Sequence, residues 1–184
     1  MMQGYFHYKM NEKAVFDMFF RRQPFNGGFS IFAGLGDLVE TLENLSFEDE
    51  DIDYLRKTGY FQEDFLSFLR GFRFEGELWS VREGTVVFPG EPLLRVHATL
   101  MEAQLIESLL LNIINYQTLV ATKTARIYLA SNEGRVLEFG LRRAQGWNGA
   151  LQASRAAYIG GATATSNTLA GKLFDIPVSG TMAH

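Results

Sequence analysis

The sequence predicts an α/β protein: an α+β layer followed by the start of a βα array, which builds a parallel sheet or a barrel. Three observations carry this. Residues 74–96 contain short β runs divided by Glu-Gly and Pro-Gly turns. Residues 99–130 keep an apolar face at helical spacing over many turns. After residue 135, short strands alternate with short helices, the order that builds a parallel layer. Composition fits such a fold: 16 phenylalanines and 47% apolar residues in 184 are ample for a core, and there is no cysteine. A disordered tail and a disulfide-stapled scaffold are thereby excluded. The net charge of −4 with no long Lys/Arg run argues against nucleic-acid binding. No apolar run approaches the roughly 18 residues of a membrane span. The first residues, MMQGYFHYKMNEK, lack the basic flank and apolar stretch of a signal peptide. The expectation is a soluble cytoplasmic protein.

In chain order, AVFDMFF from residue 14 reads as a strand, and Pro24 with Asn26, Gly27 and Gly28 as a turn into a second strand around Phe29 and Ile31. That predicts a hairpin. Leu35, Leu38, Val39, Leu42 and Leu45 follow helical spacing. In FEDEDIDYLRKTG the acids come early, Arg56 and Lys57 late, and Gly59 just after, the order a helix dipole and a glycine stop favour. The acids at 48–51 thus read as a solvated helix start rather than a metal site. Residues 61–72 form another short helix. In residues 99–130 the face of Leu105, Ile106, Leu109, Leu110, Ile113 and Ile114 extends through Leu119 and Val120, wide enough to be buried between layers. Strands at 136–139 and 176–179 and helices at 149–159 and 167–173 complete the pattern. The predicted domains are residues 1–98 and residues 99–184. Because the text stops just after a strand, with no helix to cover it, the chain is expected to be a fragment.

Ligands of βα arrays bind at the carboxyl ends of the strands. Two such ends are legible. After the first strand comes Phe139-Gly140-Leu141-Arg142-Arg143-Ala144-Gln145-Gly146, with two guanidinium groups suited to phosphate or carboxylate; a pair of surface arginines is the other reading. After the next comes Ser179-Gly180-Thr181-Met182-Ala183-His184, where His184 offers a base, ligand or phosphate acceptor; a lone histidine also serves structurally. Thr163, Thr165, Ser166 and Asn167 are good helix N-caps. His7 and His97 read as structural, and three scattered histidines without cysteine make a zinc site improbable. Residues 83–96 look like the hammerhead hairpin of biotinyl and lipoyl carriers, but no lysine lies between Lys57 and Lys123 to be modified.

The stretches AVFDMFFRRQPFNGGFSIFAGL, VREGTVVFPGEPLLRV, LLLNIINYQTLVATKTARI, EFGLRRAQG, YIGGATATSN and VSGTMAH occur in an order that resembles nicotinate phosphoribosyltransferase over essentially the whole chain. The resemblance implies a type II phosphoribosyltransferase-like fold in which an N-terminal α+β domain packs against an irregular α/β barrel, a homodimer with sites at the subunit interface, and a chain that begins late and ends early. It implies transfer of phosphoribose from 5-phosphoribosyl 1-diphosphate to nicotinate in NAD biosynthesis, coupled to ATP hydrolysis with Mg²⁺. By the same resemblance His184 is the histidine phosphorylated by ATP. Thr181 contacts nicotinate, Phe139 stacks on its ring, and Arg142 reaches the anionic substrate. Many relatives carry Asp where this chain has Thr163. An isolated polypeptide of these residues is expected to have no turnover. The alternatives are nicotinamide or quinolinate as acceptor, or a non-catalytic interaction module.

Overall fold

Alternation in one strand organises the first part of the chain. In the computed structural model, which describes residues 1–180, β5 (Leu94–Thr99) buries Leu94, Val96 and Ala98 and exposes Arg95 and His97. That is the period of two of a half-buried strand. It lies between β1 (Lys13–Met18) and β3 (Glu77–Ser80), antiparallel to both. Around it come α1 (Met2–His7), α2 (Leu35–Glu43), α3 (Asp49–Lys57) and α4 (Glu63–Arg70). Ile52, Phe65, Leu66 and Leu69 of α3 and α4 form a core with Phe6, Phe47, Phe61 and Phe68. The start of α3 is the solvated one that its acids predict: Asp51 accepts the Glu48 N–H at 2.9 Å, and Gly59 ends the helix at φ 73°.

The expected hairpin of residues 14–31 does not form. β2 (Ser30–Ile31) pairs instead with β4 (Val86–Val87), and β1 pairs with β5 over six residues. The connection, residues 19–29, is far longer than the roughly two to five residues of a hairpin loop. Within it Pro24–Asn26 makes a 3-10 turn in which Phe25 (φ 59°) and Asn26 (φ 48°) are left-handed. β5 offers β1 a complementary six-residue edge, which a two-residue strand cannot match.

The helix expected at 99–130 is α5 (Leu100–Ala130). Ile106, Leu110, Ile113 and Ile114 are buried as its apolar face requires, while Leu119 is 42% exposed. Beyond residue 116 the buried face turns polar and small: Gln117, Thr118, Ala121, Thr122 and Thr124. Then follow β6 (Leu137–Glu138), α6 (Trp147–Ile159), β7 (Ala164–Thr165) and α7 (Thr168–Phe174). β6 and β7 are parallel, and Val178 bridges Thr165 in parallel as well, the βα order that the sequence predicts.

The described chain divides into two compact units threaded through the sequence. The first holds Met1–Met18, Gly36–Ser80 and Leu94–Leu111; the second holds Phe19–Leu35, Val81–Leu93 and the chain from Asn112 onward. Residue 98 therefore lies inside the first unit, and α5 contributes to both. Among the described residues, no helix is long and apolar enough to cross a membrane.

Candidate functional site at the parallel strand ends

Because β6, β7 and the Val178 bridge run parallel, their carboxyl ends face one way. Three segments leave there: residues 139–146 after β6, Ser166 and Asn167 after β7, and Ser179 and Gly180 after the bridge. Backbone bonds fix the spacing. Ser166 N–H donates to Glu138 O at 2.9 Å, and Ser179 N–H donates to Thr165 O at 3.0 Å. Parallel strands with such connections place their outgoing loops together, which is why this edge of an α/β layer binds ligands.

Phe139 follows β6 directly and is 36% exposed. Arg142 lies in a single 3-10 turn, Leu141–Arg143, with Arg142 and Arg143 both exposed. Phe139 and Arg142 thus lie on one exposed loop, three residues apart. Thr181 and His184 lie outside the described residues. Ser179 and Gly180, which lead to them, leave from the edge that carries Phe139.

Beneath this edge sits a carboxylate that the sequence reading passed over. Glu138 accepts the Thr165 hydroxyl at 2.6 Å and the Ser154 hydroxyl at 2.9 Å on one oxygen. Its other oxygen accepts the Gly140 N–H. Thr165 and Ser154 are fully buried. Thr165 Oγ1 in turn accepts the Asn167 N–H at 3.0 Å. Asn167, read from sequence among several possible caps, is the one that caps α7, its Oδ1 taking the Ala170 N–H at 3.2 Å. Tyr116 on α5 donates to Gly149 O at 2.9 Å and so holds the start of α6. Burial pushes the Tyr116 phenol above its usual range, and the Glu138 charge adds to the shift.

A second polar group supports α6 further along. Arg155 donates to Glu83 through two nitrogens, at 2.9 and 2.6 Å. Glu83 also accepts the Gly34 and Leu35 amides at 2.6 and 3.0 Å. Burial pushes the Glu83 carboxyl up, but the guanidinium and the two amides outweigh it and hold the group below its ordinary value.

The residues missed by sequence share a cause. Glu138 was visible only as a strand residue, Ser154 only as a small helix residue, Thr165 only as a cap. What signals them is the register of β6 against β7, which sets Glu138 opposite Thr165. Of the histidines read as structural, His97 stands exposed on β5, and His7 is exposed with its ring edge-on to Tyr8 at 5.1 Å. Among the described residues, no group of three His, Asp or Glu side chains is assembled to hold a metal ion.

Residues 1–115 match the profile of the nicotinate phosphoribosyltransferase N-terminal domain. A nicotinate phosphoribosyltransferase of Bacillus subtilis is 52% identical over 173 residues, covering 94% of this chain and 35% of its own length. One from Caenorhabditis elegans is 52% identical over 181 residues, covering 95% of this chain and 32% of its own length. The crystal structure of human nicotinic acid phosphoribosyltransferase superposes with a TM-score of 0.92 at 42% identity, covering all of this chain and 38% of that one. A nicotinate-nucleotide pyrophosphorylase from Pyrococcus furiosus, at 22% identity and a TM-score of 0.78, shares the fold. This chain spans about a third of the length of the curated relatives it matches. The chain belongs to the nicotinate phosphoribosyltransferase family.

Proposed function

We propose that the protein bearing this chain transfers phosphoribose from 5-phosphoribosyl 1-diphosphate to nicotinate, forming nicotinate mononucleotide and diphosphate in cytoplasmic NAD biosynthesis. What carries the reading is the 52% identity, over nearly the whole chain, to a relative named for that activity. The pyridine nitrogen attacks the anomeric carbon, the bond from that carbon to the diphosphate oxygen breaks, and the diphosphate leaves with the electron pair. Such a displacement asks for positioning and charge neutralisation more than for covalent help.

The roles are those that the family resemblance implies for the matching residues. Phe139 stacks on the pyridine ring, and Arg142 pairs with the anionic substrate through its planar fork. Thr181 contacts nicotinate. His184 takes the terminal phosphoryl group of ATP, releasing ADP, and loss of that phosphoryl group to water drives the cycle. The working unit is a homodimer. Mg²⁺ accompanies the nucleotide and diphosphate, neutralising their charge.

The test is formation of mononucleotide by the purified protein with nicotinate, 5-phosphoribosyl 1-diphosphate, ATP and Mg²⁺, set beside nicotinamide and quinolinate as acceptors. Product with nicotinate is expected. Arg142→Ala should raise the KM for nicotinate about tenfold or more, the worth of one charge-assisted pair. His184→Ala should abolish both phosphohistidine and ATP dependence. Product from another acceptor alone, or none from any, overturns the reading.

A further inference from the structure

The loop that carries Phe139 and Arg142 stands at the surface. Its residues 139–143 are exposed, and its 3-10 turn is one turn long. Glu138 anchors it at its start. It is the last residue of β6, so its backbone is fixed by the parallel pairing with Thr165. Its carboxylate folds forward onto the Gly140 N–H, gripping the loop two residues on, with Phe139 held between. A Cβ on Gly140 would stand 2.8 Å from that carboxylate oxygen, so the close approach uses the absence of a side chain.

The other carboxylate oxygen reaches the neighbouring strand end. The buried Thr165 hydroxyl donates to it at 2.6 Å, and Thr165 Oγ1 accepts the Asn167 N–H at 3.0 Å. Ser154, on the helix that follows the loop, donates to the same oxygen. One carboxylate therefore links the Phe139–Arg142 loop, the helix after it and the Ser166–Asn167 turn. A hydroxyl has one proton, and Thr165 gives its proton to Glu138 while accepting from Asn167. The chain of bonds thus runs in one direction from the second loop to the first.

We propose that Glu138 is a positioning residue: it sets Phe139 and Arg142 for the pyridine carboxylate and ties their loop to the turn after β7 through Thr165. This rests on the transferase reading above. Its consequence is a loss of substrate affinity, without loss of fold, when the acceptor character of the carboxylate or the Thr165 hydroxyl is removed.

The experiment compares Glu138→Gln, Thr165→Val and Thr165→Ser with the parent protein. Two readouts are taken on each: KM and kcat for nicotinate, and amide hydrogen exchange at residues 139–143 and 166–167 against that of the long helix. The inference expects Glu138→Gln and Thr165→Val to raise KM about tenfold, with the change in kcat smaller, and to speed exchange at both strand ends while the long helix keeps its protection. Thr165→Ser, which keeps the hydroxyl, should restore both readouts. Unchanged exchange, or a KM within twofold of the parent's, sinks the positioning role while leaving the transferase reading intact. A parent protein that makes no mononucleotide sinks both. Faster exchange throughout the long helix as well would mean a general loss of fold and also overturn the inference.

Discussion

Both compact units bury apolar side chains, but among the described residues the second also buries polar ones. In the first, Phe6 meets Phe65 and Phe68 with ring centroids 5.6 and 5.2 Å apart, Phe61 lies 5.8 Å from Phe65, and ion pairs such as Asp17–Arg95 stay at the surface. In the second lie all the buried polar residues among the described ones: Ser30, Gln117, Thr118, Thr122, Thr124, Ser154, Thr165 and Asn167. Several of these bond to backbone far away in sequence. Thr122 Oγ1 accepts the Ile31 N–H at 2.9 Å, and Thr118 Oγ1 accepts the Ala33 N–H at 3.2 Å. Apolar contact is non-directional and fixes how stable a unit is; a buried hydrogen bond is directional and fixes where a segment lies. The unit with the directional core is the one that carries the strand ends.

Truncating the apolar core should have the largest effect on stability. Phe65 is 2% exposed within the aromatic cluster, so Phe65→Ala should cost about 3–5 kcal/mol in denaturant unfolding. A cost below about 1 kcal/mol would mean that the cluster is loosely packed, and the contrast between the units would lose its first half.

Next comes Glu83, about 20% exposed together with Arg155. Glu83→Gln removes the carboxylate charge that pairs with the Arg155 guanidinium and should cost about 3 kcal/mol. The same variant should change the pH profile. Since the folded-state carboxyl lies below its ordinary 4.5, the stabilisation it brings is complete above that pH and is lost as pH falls through the lowered value. The parent should therefore lose stability on acidification below about 4.5, and Glu83→Gln should flatten that slope. An identical acid limb in both proteins would break the assignment of this pair to the second unit's polar core.

Gly160 tests how closely the second unit's backbones approach. A Cβ there would overlap the Ala121 carbonyl oxygen, a backbone atom that cannot swing aside. Gly160→Ala should cost about 1–3 kcal/mol by overpacking, read as a lowered unfolding midpoint. A neutral or stabilising outcome would show that α6 can shift away from α5.

How much of this was legible in the sequence follows the same divide. Periodicity found the long helix to within a residue, because Ile106, Leu110, Ile113 and Ile114 recur at its spacing. Helix signals found α3 through its acids and Gly59. The strand partner of residues 14–18 was not legible: local turn signals at Pro24–Gly28 pointed to a hairpin, while the matching edge lay in β5, far along the chain. At the site, the Phe139–Arg142 loop was legible because its residue types follow a strand. Glu138, Ser154 and Thr165 were not, since their meaning arises only when β6, α6 and β7 are brought together. Polar pairing is a property of register, and register has no signature within one short strand.

The smallest effect should come from the exposed pairs of the first unit. Arg95 faces Asp17 across β5 and β1 with nitrogen–oxygen distances of 2.7 and 2.9 Å, good bidentate geometry. The Arg95 guanidinium holds the Asp17 carboxyl below its usual range. Yet both groups lie in water, which screens the attraction, and both side chains give up rotamer freedom to meet. Asp17→Asn should therefore shift the unfolding midpoint least of the four variants, and the difference should vanish at about 1 M salt, where screening acts over only a few ångströms. The comparison with Glu83→Gln is the informative one, because each substitution removes one carboxylate charge from an Arg pair of similar geometry and the two differ in burial. If Asp17→Asn proved as costly as Glu83→Gln and insensitive to salt, charge pairing would be stabilising both units alike, and the division between an apolar core and a directional polar one would fail.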